Sequence, residues 1–447
     1  MGDMNMSARM CAFKILYKIE CENAFSNIAL KEGLYGSTLC DADRRLVSTI
    51  VYGSVKYKKF LDYVISRFSS IKLKKLSTNV LLILRMGIYQ IVKLERVPDS
   101  AAVNESVKLA GKLAYRSKGF VNALLRKVSQ NKNEIKLPDD KIERLATLYS
   151  YPNELVKMWA DEYGYDFTRD LLESGNENAS ITIRVNTLKI SEDELVERLK
   201  EEQAQASKTD IENILVITGG DVSSLNSFRE GLFSVQGVGS YFASMVLSPK
   251  SGDTVMDLCA APGGKSTHMA EIMKNKGEIY SFDIHKHRVE LIKNSAARLG
   301  IDIIKAAVAA SAVCKKQYVR RADAVLADVP CSGLGIIRKK PDIKWSFDIS
   351  KMDELCSLQY DILCSGSQYV KDGGVLVYST CTISKDENIE VVNKFLNEHK
   401  DFSLYPIENV LPKKYEKESA KEGYIQFYPN VDGIDGFFIC KMKRENK

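Results

Sequence analysis

Apolar residues in the first third of the chain recur at helical spacing: Ala8, Cys11, Ala12, Ile15, Leu16 and Ile19 in one run, Val80, Leu84, Gly87, Ile88 and Ile91 in another. A period near 3.6 predicts amphipathic helices. Asp41 and Asp43 stand where they would open a helix carrying Leu46, Val47, Ile50 and Val51. Pro98 and Asp99 end one helix and start the next, and residues 120–128 form a short last one. Residues 1–130 are therefore expected to fold as an all-α domain. The polar stretch 131–150, with Pro138, reads as a linker running into a helix, and a further helical stretch includes Trp159. The period then changes to two. Ile181, Ile183 and Val185 alternate as a strand, Ser191 and Glu194 form a capping box for a helix ending near Gln203, and 213–218 and 231–235 add strands. Residues 131–239 are thus expected to hold the linker and a small α+β module. From Ser240 onward strands alternate with helices, at 254–258, 278–283, 301–305, 323–328 and 374–379, before a closing pair at 425–429 and 436–441. That order predicts a doubly wound, Rossmann-like α/β domain over 240–447.

A length of 447 residues exceeds one ordinary core, in keeping with several domains. Apolar content of 45% and charged content of 27% are those of a soluble globular protein, no segment approaches the apolar length of a membrane span, and the N-terminus lacks a signal-like core. A cytoplasmic protein without membrane association is expected. Its ten cysteines show no Cys-x-x-Cys spacing, which predicts free thiols and no metal centre. The net charge of +6 is unevenly spread. Residues 1–130 hold 22 Lys and Arg against 10 Asp and Glu, or +12, and the remaining 42 against 48 give −6. A basic helical third suits a polyanion such as nucleic acid, and equally a well-solvated helical surface.

The stretch Thr254 to Ser266 carries the strongest chemical signal. An apolar run ends in Asp257, and Cys259-Ala260-Ala261-Pro262-Gly263-Gly264-Lys265 then turns into a helix. Glycines let the backbone approach a ligand, and the helix start directs unpaired N–H groups at it. Asp283 ends the next strand about 20 residues on, where a ribose hydroxyl would be gripped. The spacing is neither Gly-x-Gly-x-x-Gly nor a phosphate loop, which leaves a nicotinamide dehydrogenase as a distant reading. Two further strand ends carry cysteine: Asp328-Val329-Pro330-Cys331-Ser332-Gly333-Leu334-Gly335, and Ser379-Thr380-Cys381-Thr382. In open α/β sheets ligands lie beyond such carboxyl ends, so both thiols are expected to face one pocket. Two thiols suit methylation at carbon 5 of cytosine. A thiolate adding to carbon 6 makes carbon 5 nucleophilic, a carboxylate near N3 assists, and a second thiol helps to release the enzyme.

Asp-Arg-Arg-Leu-Val (43–47), Leu-Arg-Met-Gly-Ile-Tyr-Gln (84–90), Val-Pro-Asp (97–99) and Gly-Phe-Val-Asn-Ala-Leu-Leu-Arg (119–126) resemble a NusB-like RNA-binding domain. The 257–266 loop, the two cysteine segments and Asp-Gly-Phe-Phe (435–438) resemble S-adenosylmethionine-dependent RNA 5-methylcytosine methyltransferases. Together they are similar to the bacterial 16S rRNA cytosine-5 methyltransferase B family (Sun, or Fmu) over almost the whole chain. The resemblance implies Cys381 as nucleophile, Cys331 in release and Asp328 at the base. It also implies the 259–265 loop, Asp283 and Asp328 at S-adenosylmethionine, and 16S ribosomal RNA as partner of a monomer. Arg184 and Asn186, in Ile-Arg-Val-Asn, resemble the family's RNA-binding extension, though an ordinary edge-strand pair would look the same. Arg338, Lys339, Lys340 and Lys344, with Pro341 and Trp345, resemble a basic segment of the family that would steer the RNA backbone or cap the pocket; a solvated charge run is the alternative. His285 and His287 have no metal spacing and are given no chemistry.

Two departures from the family pattern stand out. Gln236-Gly237-Val238-Gly239-Ser240 lacks the acidic residues common after Val-Gln, and Ala307-Val308-Ala309-Ala310-Ser311 lacks the acidic residue that meets the adenine, Ala310 being its expected position. They motivate a second reading, an RNA-binding assembly or antitermination-like protein with a decayed methyltransferase half. Both thiols and Asp328 speak against decay.

Overall fold

A computed structural model describes residues 6–218 and 222–446. The chain forms two compact units, Met1–Glu177 with Ile337–Phe347, and Asn178–Ile336 with Asp348–Lys447.

The first unit is helical. Its helices Ala8–Glu22, Ser26–Leu34, Asp41–Lys56, Lys58–Phe68, Thr78–Lys93, Asp99–Leu113 and Lys118–Asn131 follow the apolar periodicity. Thr78–Lys93 is buried nearly all round, from Val80 to Ile91. Arg85 lies on that helix and is buried, so its charge needs a partner. It donates to both carboxylate oxygens of Asp62 at 2.6 and 2.7 Å, with Glu20 at 3.3 Å. The unit continues through helices Lys141–Leu148, Asn153–Tyr163 and Tyr165–Ser174, with Tyr151 and Trp159 buried. The boundary between the units, at Glu177 and Asn178, therefore falls inside the 131–239 segment. Segment 337–347, distant in sequence, is embedded in the same unit. The Trp345 indole donates to the Val55 carbonyl at 2.8 Å, and Asp342 accepts from the Ser26 backbone N–H at 3.2 Å.

The second unit contains two sheets. In the smaller, β1 (Ile181–Val185), β2 (Gln205–Lys208), β3 (Ile214–Thr218) and β4 (Phe233–Val235) pair antiparallel in the order β2-β3-β1-β4. Helix Glu192–Glu201 opens with both halves of the Ser191–Glu194 capping box. Strand β2 has no counterpart among the expected strands; Gln-Ala-Ser-Lys is a polar, mostly exposed edge with no apolar alternation to reveal it.

The larger sheet comprises β5 (Thr254–Asp257), β6 (Glu278–Asp283), β7 (Ile304–Val308), β8 (Ala322–Asp328), β9 (Val370–Thr380), β10 (Phe402–Leu404), β11 (Tyr424–Phe427) and β12 (Phe437–Arg444). Its order is β10-β12-β9-β8-β5-β6-β7, with β11 also paired to β12. Strands β5 to β9 run parallel and β12 antiparallel to β9, so the doubly wound sheet is mixed at one edge. Strand β7 starts three residues after its expected position, because Ile301 is buried just past the left-handed Gly300 that ends helix Lys286–Leu299. The order reverses beside β5, whose neighbours are β6 and β8. That switch point opens a crevice at the strands' carboxyl ends.

Candidate active site

Strands β8 and β9 are neighbours in register, with Asp328 opposite Ser379. The segments that leave them bring Cys331 Sγ and Cys381 Sγ to 3.3 Å. Asp328 stands at the junction: Oδ1 accepts from the Ser379 hydroxyl at 2.7 Å and Oδ2 from Lys265 Nζ at 2.5 Å. Lys265 belongs to the first turn of helix Gly264–Ile272, so the glycine loop, the Pro-Cys segment and the Thr-Cys segment meet at one point. Backbone packing holds the two cysteine segments against the late Asp-Gly-Phe-Phe stretch. The Gly335 N–H donates to the Cys381 carbonyl at 3.0 Å and the Gly436 N–H to the Gly335 carbonyl at 2.8 Å. A Cβ on Gly335 would strike the Gly436 carbonyl, which explains the glycine pair.

The two sulfurs sit in different fields. The hydrogen bond with Cys381, then burial, then the charges of Cys381 and Glu387 hold the Cys331 thiol well above the ordinary thiol range. Burial works to lower the Lys265 ammonium, but Asp328, Asp257 and the Cys381 sulfur more than offset it, so the group stays above its ordinary value and is cationic. Cys331 is thereby kept a thiol, and Lys265 is the cation whose field reaches the Cys381 sulfur.

The 259–265 loop suits a nucleoside. Gly263, at φ +105°, lies within 3.2 Å of the Ile292 backbone at its Cβ position, a close approach that only glycine tolerates without strain. Nothing lies within 4 Å of a Cβ on Gly264, so the helix start faces open space. Asp283 ends β6, and its Oδ1 accepts from the His285 N–H at 2.9 Å. No described donor holds the other oxygen, which is left for a hydroxyl. Asp257 is fully buried and pushed by burial up to about 7, against a 2.6 Å hydrogen bond from Ser266. At the end of β7 the Ala309 N–H donates to the Asp283 carbonyl at 3.1 Å, and Ala310 is exposed, with no carboxylate in that stretch.

Several sequence expectations need correction. Arg184 is buried and cannot meet RNA: it donates to both Glu271 oxygens at 2.9 and 2.7 Å and to the Gly264 carbonyl at 2.9 Å, bracing the 259–265 loop from behind. Gln236 also reaches that carbonyl, at 3.3 Å, so the departure after Val-Gln begins at a structural contact. Asn186 is fully buried and donates to the Gly231 and Leu299 carbonyls at 2.8 and 2.9 Å. Lys344 is no backbone-steering residue either. It is fully buried in the helical unit, Nζ 4.1 Å from the centre of the Tyr151 ring, and burial holds it well below the ordinary lysine range. Arg338 is half-buried, and Lys339 and Lys340 are exposed. Sequence reasoning missed Glu387, whose carboxylate touches both cysteine segments; only the spacing Thr-Cys-Thr to Glu-Asn could have drawn notice.

Comparison with known proteins gives the family. The family described as 16S rRNA methyltransferase RsmB/F matches residues 244–443, the NusB family matches 6–130, and a ferredoxin-like domain of RsmF/B-like methyltransferases matches 151–222. A probable ribosomal RNA small subunit methyltransferase B of Bacillus subtilis is 38% identical over 98% of this chain and 99% of its own length. A protein of the same name from Synechocystis is 34% identical over 98% of this chain and all of its own. Among solved structures, PH0851 superposes with a TM-score of 0.82 at 30% identity, covering 99% of both chains. A methyltransferase homologue from Pyrococcus horikoshii gives 0.59 at 28% identity, over 69% of this chain and all of its own.

Proposed function

Since this chain belongs to the 16S rRNA methyltransferase RsmB/F family, whose members are S-adenosylmethionine-dependent, we propose that it methylates carbon 5 of a cytosine in small-subunit ribosomal RNA, with Cys381 as the nucleophile. The observation that carries the reading is the thiol pair, 3.3 Å apart and flanked by the Lys265–Asp328 ion pair. Bound S-adenosylmethionine supplies the electrophilic methyl group. The chain's own residues do the rest. Asp283 and the 259–264 backbone hold the nucleoside part, and Asp328, fixed from both sides by Lys265 and Ser379, meets the N3 and amine edge of the base. The Cys381 sulfur bonds to carbon 6, which raises electron density at carbon 5. After transfer, the proton on carbon 5 leaves to water and the carbon 5–carbon 6 double bond re-forms. The carbon 6–sulfur bond breaks with its electron pair returning to Cys381. The Cys331 S–H stabilises that departing sulfur by hydrogen bonding. Mapping 5-methylcytosine in ribosomal and transfer RNA from a strain lacking this protein tests the reading. Loss at one small-subunit position is expected, and an unchanged ribosomal map would refute it.

A further inference from the structure

Behind the thiol pair lies a carboxylate with an unusual number of donors. Glu387 is fully buried. Its Oε2 accepts from the Ser332 backbone N–H at 2.8 Å and from Gln359 Nε2 at 2.9 Å; its Oε1 accepts from the Ser332 hydroxyl at 2.5 Å and from the Thr382 hydroxyl at 3.1 Å. The two hydroxyls also touch each other at 2.8 Å. Ser332 and Thr382 are the residues that follow the two cysteines. One side chain thus ties the Pro-Cys and Thr-Cys segments, and the tie is made one peptide away from each sulfur. Its own segment is held in turn: the Glu387 carbonyl accepts from Tyr378 at 2.6 Å, and Asn388 accepts from Thr380 at 2.5 Å and donates to the Thr382 carbonyl at 3.2 Å. A buried carboxylate is costly unless its oxygens are satisfied, and here each has two donors. Gln359 Nε2 further donates to the Pro330 carbonyl at 3.0 Å, so the residue before Cys331 is anchored to the same group.

We propose that Glu387 is a positioning residue of the two-thiol reaction, fixing Cys331 against Cys381 through Ser332 and Thr382. The proposal rests on the reading of the chain as a cysteine-dependent RNA methyltransferase. The distribution of bonds gives it a direction. Three of the contacts, two from Ser332 and one relayed by Gln359, hold the Cys331 side, and a single one holds Thr382. Loss of the carboxylate therefore displaces Cys331 more than Cys381, and the release step suffers more than the attack. Glutamine can replace it in shape: its carbonyl oxygen takes the Oε2 donors, and its amide donates to the two hydroxyls, which can accept.

Three full-length variants test this: Glu387→Ala, Glu387→Gln and, should Glu387→Ala fail to fold, Ser332→Ala/Thr382→Val. A shift of about 1 Å in a reacting group costs on the order of a hundredfold in rate. With ribosomal RNA and labelled S-adenosylmethionine, Glu387→Ala or its double-variant substitute is expected to lose at least about tenfold in turnover and to accumulate an RNA–protein adduct that survives denaturing electrophoresis. Glu387→Gln is expected to recover most of the loss and to show less adduct. A folded Glu387→Ala that turns over at the wild-type rate overturns the proposal, and so does reduced turnover without adduct, which would mean a structural role alone. A measurement without RNA separates the proposal from the reading beneath it. Alkylation with iodoacetamide, read by peptide mass spectrometry, should label Cys381 over Cys331 in the wild type and lose that preference in Glu387→Ala. An unchanged preference counts against the positioning role. A wild type that keeps it yet forms no 5-methylcytosine counts against the reading.

Discussion

Replacing Arg184 separates its burial from the RNA contact that its sequence context suggested. The residue is 1% exposed, and its guanidinium is committed to Glu271, the Gly264 carbonyl and the Thr267 hydroxyl. Arg184→Met keeps much of the volume and removes the charge, leaving Glu271 buried without its cation. Breaking a buried pair in this way costs about 3–5 kcal/mol. The sign of the pH dependence follows from Glu271. Burial already raises its carboxyl despite the opposing Arg184 charge, and removal of Arg184 raises it further. A raised folded-state value gives stability that is present below the unfolded value and lost as pH rises through the folded one. The Arg184→Met penalty should therefore be small near pH 5 and full at pH 8. Arg184→Met/Glu271→Leu should recover most of it, since two apolar groups leave no orphaned charge. Urea unfolding followed by circular dichroism at both pH values measures the penalty, and calorimetric titration of S-adenosylmethionine measures the loosened helix start at Gly264. A penalty below about 1 kcal/mol at pH 8 would refute the reasoning. Weakened RNA binding with unchanged unfolding would return Arg184 to the RNA surface.

Four other outcomes are expected. Cys381→Ala should abolish methylation and form no RNA adduct, whereas Cys331→Ala should accumulate one; an adduct in the first variant would reverse the roles. Replacing Lys72, Lys74 and Lys75, exposed on the basic helical unit, with glutamine should flatten the salt dependence of RNA binding by up to about 0.7 for each phosphate no longer neutralised, read by filter binding across salt concentrations; an unchanged slope means that this surface is only solvated. Ala310→Asp should tighten S-adenosylmethionine by about tenfold, the worth of one hydrogen bond with a charged partner, with Ala309→Asp as the neighbouring control; no gain in either means that the adenine is held elsewhere. Asp257, at about 7 when folded against an ordinary 3.8, should cost the wild type about 2 kcal/mol between pH 5.5 and 8.5, so Asp257→Asn should flatten the pH profile of unfolding over that range.

The fold was legible wherever burial is periodic. Helix Thr78–Lys93 and strands β5, β6 and β8 present strong apolar patterns, and their limits agree with the sequence to within a few residues. The three-residue β10 and the polar β2 carry too little pattern to be seen, and exist because β12 and β3 offer them a ladder. Segment 337–347 misled for a different reason. Its basic residues look like a solvated run, yet Trp345 and Lys344 are packed into the helical unit, and only tertiary contact reveals that.

The site was legible in its residues and illegible in its polarity. Sequence presents two thiols of equal standing, each at the end of a strand. Their difference comes from groups far along the chain: Lys265 lies 63 positions from Asp328, and Glu387 lies 55 positions from Ser332. Bringing β5 beside β8, and β8 beside β9, sets a cation near Cys381 and an anion near Cys331. The field at each sulfur is therefore a property of strand order and of the buried charges it juxtaposes, and the Pro-Cys and Thr-Cys motifs alone cannot supply it.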